Sequence, residues 1–247
     1  MRFDTFEKVL VALFALALLV SFREQILYEP IAVRVLVGEA QREVDLQQTR
    51  SRLAAEDTAR YIDEHMFTLQ QSPDKFALLK TSIKAARTNG LYCEFGVWTG
   101  GTVNFIASLV PDKKVHGFDS FEGLPESWRD GFGRGTFAIN GLPPVRSNVI
   151  LHKGWFDRTV PEFHASTTEP IAFVHIDSDL YSSAKTVLEG MADRIVPGTV
   201  IQFDEFFGYP GWKSNGEYKA FTEFVGARPV RWKFIGYSKE QAAVLIE

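Results

Sequence analysis

The sequence predicts an α/β protein, a doubly wound and mostly parallel sheet closed by a C-terminal antiparallel hairpin. Three observations predict it. Short apolar runs alternate with helical segments from Leu91 to Val225, the pattern of parallel strands joined by crossover helices. Several of those runs end in Gly, Asp or Glu, as ligand-binding strand ends do. The last two runs, Arg231–Tyr237 and Ala242–Ile246, have no helix between them and should pair as a hairpin.

The elements follow in chain order. Val9–Phe22 reads VLVALFALALLVSF, fourteen residues without a charge. A full membrane span needs about 20 apolar residues, so the run is short for one. It is apolar all round and no clear small-x-small cleavage site follows it, which favours an anchor, a short span or an interfacial helix, over a buried helix of the globular domain or a signal peptide. Residues 1–28 are therefore expected to form a hydrophobic membrane anchor. Residues 29–71 read as a polar helical connector, packed loosely. The α/β domain is expected over 72–247, on the cytoplasmic side.

Ser72-Pro73-Asp74 predicts a helix start capped by Ser72, with the helix running to Gly90. Strands are predicted at Leu91–Phe95, Lys114–Phe118, Asn148–Lys153, Ile171–Ile176 and Thr199–Phe203. Helices are predicted at Gly101–Leu109, from about Ser182 to Ile195, and at Glu217–Val225. Net charge is −4 and no basic tract is interleaved with aromatics, which argues against a nucleic-acid partner. The single cysteine, Cys93, rules out an intramolecular disulfide and a cysteine-based zinc site.

LYCEFGVWTGG, residues 91–101, ends the first strand in a glycine-rich turn. The dinucleotide fingerprint G-x-G-x-x-G fails here, and Thr102 stands where a phosphate-binding loop needs lysine. Glu94 would repel a pyrophosphate and favour a cationic group. S-adenosylmethionine carries an ammonium and a sulfonium and no phosphate. Gly96, Gly100 and Gly101 would let the backbone approach such a ligand. Asp119 ends the second strand 23 residues after Gly96, close to the ~20-residue spacing at which an acid reaches ribose hydroxyls. Ser120 is expected to assist it, and Gly154-Trp155-Phe156 offers an adenine slot.

HIDSDLYSS puts Asp177 just past the fourth strand, and QFDEFFGYPGW puts Asp204 and Glu205 past the fifth. Carboxylates converging in one crevice are costly without a cation. Oxygen ligands without thiolates suit Mg²⁺, Mn²⁺ or Ca²⁺. Asp179 has two readings, a cap for the helix near Ser182 or a member of this cluster. His116 and His152 fall in predicted strands and read as partly buried imidazoles. His175 shares a strand face with Asp177.

EFGVWTGGT, GFDSFEGLPE, KGWF, HIDSDLYSS and FDEFFGYPGW, taken in order, resemble the class I S-adenosylmethionine-dependent methyltransferases. They are especially similar to the macrocin O-methyltransferase group, whose members methylate sugar hydroxyls. The resemblance runs from Pro73 to Glu247. It implies a Rossmann-like sheet of seven strands, S-adenosylmethionine as cofactor, and a divalent metal held by Asp177, Asp204 and Glu205. In that group the second acid of the pair is commonly aspartate, so Glu205 is a departure.

The expected activity is O-methyl transfer to a sugar or glycan-type hydroxyl, with Mg²⁺ assisting. Asp177 or His175 would take the proton. The cofactor would lie against Glu94, Gly96, Gly100, Gly101, Thr102, Asp119, Ser120, Gly154, Trp155 and Phe156. Two alternatives stand beside this: a nicotinamide-dependent sugar oxidoreductase, and a membrane-tethered domain without activity. The partners expected are a small-molecule or glycan acceptor and the membrane, with self-association left open. The Gly- and Pro-rich loop Glu122–Arg146 and the aromatic Tyr209–Trp212 segment are placed near the acceptor.

Overall fold

Seven strands form one sheet in the order β3-β2-β1-β4-β5-β7-β6. In the computed structural model they are β1 Leu91–Phe95, β2 Val115–Asp119, β3 Val149–Lys153, β4 Ile171–Ile176, β5 Val200–Phe203, β6 Trp232–Tyr237 and β7 Ala242–Ile246. The structure describes residues 13–16 and 45–247. The chain divides into Met1–Thr49 and Arg50–Glu247, and the sheet belongs to the second unit.

β1 pairs in parallel with β2 and β4, β2 with β3, and β4 with β5. β7 enters antiparallel between β5 and β6. The seven-stranded, mostly parallel expectation is therefore met. Every residue of β4, β5 and β7 is buried, because helices cover both faces and leave no side of a central strand to water. Strand order reverses between β1 and β4. Their carboxyl ends open the crevice in which such sheets hold ligands.

Among the described residues from 45 onward, six helices accompany the sheet: α1 Leu46–His65, α2 Lys75–Ala85, α3 Gly101–Leu109, α4 Phe156–Ser166, α5 Tyr181–Gly190 and α6 Glu217–Gly226. Four details differ from the sequence expectation. The cap of α2 is Asp74, whose Oδ1 accepts from the Ala77 amide at 2.8 Å, and the helix ends at Ala85 well before Gly90. Ser72 instead joins an edge: its amide donates to the Tyr237 carbonyl. α4 was not anticipated, because Pro161 lies inside it and its apolar face is short. α5 begins at Leu180 as cap residue, with no side-chain cap, so Asp179 is not a helix cap.

The connector reading also changes. Tyr61 of α1 is buried edge-on against Trp212 at 5.3 Å and Tyr218 at 5.5 Å. Thr58 Oγ1 accepts from the Gly208 amide at 3.0 Å. The compact unit therefore starts at Arg50 rather than at residue 72. Among the described residues no helix is long and apolar enough to cross a membrane. The anchor expected at 1–28 lies outside the described residues apart from 13–16, which are helical.

Candidate active site

A cavity of about 570 Å³ opens beyond the carboxyl ends of β1, β2, β4 and β5. Its walls are the turns that the parallel ladder carries past the strand ends. The Gly96 amide donates to the Phe118 carbonyl, the Asp177 amide to Phe95, and the Asp204 amide to Ile176, each at 2.8–2.9 Å. These bonds hold the four turns side by side.

The sequence-predicted residues divide into two sets. Gly96, Gly101, Thr102, Asp119 and Ser120 line the cavity. Gly154, Trp155, Phe156, Asp177, Asp204 and Glu205 line it too. Glu94, Gly100 and His175 do not. Gly96 has φ +98°, and a Cβ there would collide with the Asp177 carbonyl oxygen. It is glycine so that β1 and β4 can close on each other. Gly101 has nothing within 4 Å of its Cβ position, so it leaves open room for a ligand. Gly100 adopts φ +83° as the residue before α3; its role is the turn.

Glu94 is corrected by strand register. Glu94 pairs with His175 across β1 and β4, so the two side chains lie on one face of the sheet. Both are fully buried, and His175 Nδ1 meets Glu94 Oε1 at 2.8 Å. The other imidazole nitrogen lies 3.4 Å from Asp204 Oδ1. Burial by itself would lower the His175 pKa, but Asp204 and Glu94 outweigh it and raise it to about 10. A buried imidazolium is no general base, and Glu94 is its counter-ion rather than a ligand contact.

Asp119 is placed as expected but is already engaged. Its Oδ2 accepts from the Val97 and Trp98 amides at 2.9 and 2.8 Å, and its Oδ1 from Phe121 at 2.6 Å. It therefore pins the glycine turn of β1. Oδ1 has one lone pair left for a hydroxyl. Trp98, held at φ +47° and half exposed, stands over the same turn against Phe137.

Asp177, Asp204 and Glu205 each offer an oxygen, all within 4.8 Å of one another. Asp204 Oδ1 and Glu205 Oε2 are buried and have no hydrogen-bond partner among the described residues. Burial raises the Asp177 and Glu205 pKa values, and the charge of Asp204 pushes both further. Asp204 goes the other way. His175 and Lys75 overcome its burial and hold it below the usual carboxylate range. A hard divalent cation fits this donor set; it would satisfy Glu205 Oε2 outright, whereas Asp204 Oδ1 already has the His175 imidazole 3.4 Å away.

Two functional candidates, Lys75 and Glu217, escaped the sequence reading, and a third, Asp179, stood between two readings. Lys75 Nζ lies 3.2 Å from Asp204 Oδ2 and 3.8 Å from Asp177 Oδ2. Glu217, fully buried at the start of α6, accepts from the Ser178 amide at 3.1 Å and the Glu205 amide at 3.0 Å. It ties the turn after β4 to the turn after β5. Asp179 lines the cavity at φ +61°, a strained conformation for a side chain other than glycine. Burial raises its pKa to about 7. The repeated acid in HIDSD was the available signal for Asp179. Lys75 and Glu217 are remote in sequence from the motifs they serve.

A family model described as a methyltransferase domain matches residues 93–206. That match and the relatives below support a class I methyltransferase fold for this part of the chain. Demethyldecarbamoylnovobiocin O-methyltransferase of Streptomyces niveus is 26% identical over 152 residues, 51% of this chain. The chain spans 57% of the length of that curated relative. The crystal structure of the calicheamicin methyltransferase CalS11 superposes with a TM-score of 0.57 at 25% identity, covering 69% of this chain and 77% of that one. The O-methyltransferase NovP shares the fold, with a TM-score of 0.54 at 18% identity over 69% of this chain and 78% of its own. A methyltransferase domain with a broken dinucleotide fingerprint leaves the oxidoreductase alternative without support.

Proposed function

We propose that this methyltransferase domain transfers a methyl group from S-adenosylmethionine to a hydroxyl of a sugar or glycan-type acceptor, assisted by a divalent cation. One observation carries the reading: the glycine turn, Asp119 and the acid trio line a single cavity. S-adenosylmethionine supplies an electrophilic methyl on a sulfonium. Gly101 would leave space for it, Asp119 Oδ1 would accept from a ribose hydroxyl, and Trp155 would offer an apolar wall for a base. A hard cation at Asp177, Asp204 and Glu205 supplies Lewis acidity toward the acceptor oxygen.

The chain's own part is to hold the acceptor and take its proton. Asp179 lines the cavity two residues from Asp177, and in this reading it takes that proton in place of Asp177 or His175. As the acceptor oxygen forms its bond to the methyl carbon, its proton passes to the Asp179 carboxylate, and the carbon–sulfur electron pair stays on sulfur. Bringing the two reactants together supplies most of the rate. CalS11 is described as a TDP-rhamnose 3′-O-methyltransferase of calicheamicin biosynthesis, which supports a sugar-type acceptor. The uncharged run Val9–Phe22 supports attachment to a membrane and an envelope or lipid-linked glycan as acceptor.

The test has two stages. Calorimetric titration with S-adenosylhomocysteine, with and without Mg²⁺, should show binding. Radiolabelled methyl should then appear on an extracted membrane glycan or a nucleotide sugar. Absence of cofactor binding would sink the methyl-transfer reading, whereas binding without labelled glycan would sink only the acceptor.

A further inference from the structure

Six acidic side chains line the cavity: Asp119, Asp157, Asp177, Asp179, Asp204 and Glu205. Among the described residues one basic side chain lines it, that of Lys75. Its ammonium donates to Asp204 Oδ2 at 3.2 Å and sits 3.8 Å from Asp177 Oδ2. Both oxygens belong to the acids that would hold a divalent cation. Lys75 is also an unusual residue for its place. It opens α2, whose first turn holds no acid, at the end of the helix where the backbone dipole disfavours positive charge. The carboxylates across the cavity offset that cost. Asp74 caps the helix through the Ala77 amide, so the Lys75 backbone is fixed. The flexible four-carbon stem leaves the ammonium free to move, and the side chain is 34% exposed.

We propose that the Lys75 ammonium is the resident counter-ion of the acid trio, and that a divalent cation reaches Asp177, Asp204 and Glu205 only by displacing it. The proposal rests on the cation reading above and adds an exchange to it. With no cation bound, the ammonium partly neutralises Asp204 and Asp177. A doubly charged ion a few ångströms from a lysine ammonium is repelled by it, so the side chain withdraws toward the mouth. Part of the binding energy of the cation is then spent breaking the ion pairs of Lys75. The wild-type protein holds its cation more weakly than three carboxylates alone would.

Mn²⁺ binding to the full chain, followed by the electron paramagnetic resonance of the free ion, tests this without an activity assay. Lys75→Met keeps the length of the side chain and removes the charge. It should bind Mn²⁺ roughly tenfold or more tightly than wild type, since one unscreened neighbouring charge is removed. Lys75→Arg should stay close to wild type. Equal affinity in all three proteins overturns the exchange and leaves the cation reading standing. No Mn²⁺ binding by either wild type or Lys75→Met overturns both. A second measurement needs no variant. Reductive dimethylation of Lys75, read by mass spectrometry, should accelerate severalfold when Mg²⁺ is added, because the ammonium is released toward solvent. An unchanged rate overturns the proposal.

Discussion

His175 Nδ1 and Glu94 Oε1 meet at 2.8 Å with both side chains fully buried, one strand apart in the middle of the sheet. The pair ends 3.4 Å from Asp204, so it acts on the acid cluster from beneath. Removing one partner leaves a buried charge uncompensated. Glu94→Ala should lower unfolding free energy by about 3–5 kcal/mol, measured by urea denaturation. Glu94→Gln keeps a hydrogen-bond acceptor and should cost less. If Glu94 instead gripped the cofactor, Glu94→Ala would weaken S-adenosylhomocysteine binding and leave stability near wild type.

In the proposed reaction Asp179 takes the acceptor proton. A base works only when deprotonated, and burial raises the Asp179 pKa to about 7. The rate should therefore fall as pH drops through about 7 and level off above it. Asp179→Asn should reduce kcat roughly 10²–10⁴-fold with S-adenosylhomocysteine affinity retained, a split that steady-state kinetics and calorimetry together would reveal. A wild-type kcat flat from pH 5 to 9 would exclude Asp179 as the base.

Glu217 joins the two acid-bearing turns by accepting from the Ser178 and Glu205 amides. Glu217→Ala strands both donors. Each buried unsatisfied group costs about 1–3 kcal/mol, so the variant should unfold at clearly lower urea. It should also bind Mn²⁺ more weakly, because the spacing between Asp177 and Glu205 is no longer held. Unchanged Mn²⁺ affinity in folded Glu217→Ala would show that the turns keep their spacing without it.

A pH effect away from the cavity is expected from His116 and His152, whose Nδ1 and Nε2 atoms lie 3.0 Å apart on β2 and β3. Burial, and then the charge of His152, lower the His116 pKa from the ordinary 6.5 to about 4. Between those two values the unfolded chain binds a proton that the folded chain refuses, so stability rises with pH. The contribution is complete above pH 6.5 and lost as pH falls toward 4. The urea midpoint of wild type should decline across that window, and the decline should be shallower in His116→Gln. Parallel curves for the two proteins would contradict this account.

Much of the architecture was legible in the chain. Alternation of apolar runs with helical segments predicted the sheet, and the missing helix after Tyr237 predicted the antiparallel β7, because hydrophobic period and turn chemistry are local properties. Local spacing also brought Gly101, Asp119, Asp177, Asp204 and Glu205 to one cavity, since parallel strands deliver their carboxyl ends to the same side. α4 stayed hidden behind Pro161, and the docking of α1 through Tyr61 depends on aromatics that come 150 residues later in the chain.

What a side chain at a strand end faces is not a local property. From sequence, Glu94 reads as an acid waiting for a cationic ligand. Register with β4 turns it to His175 instead, because a neighbouring strand is nearer than the cavity. Lys75 and Glu217 carry no motif, yet one supplies the ammonium beside Asp204 and the other fixes the amides of Ser178 and Glu205. The sequence by itself determined the sheet, its switch point and the acids that gather there. The tertiary structure decided which acids are free and which are already paired, because pairing depends on distances that only the assembled strands and helices set.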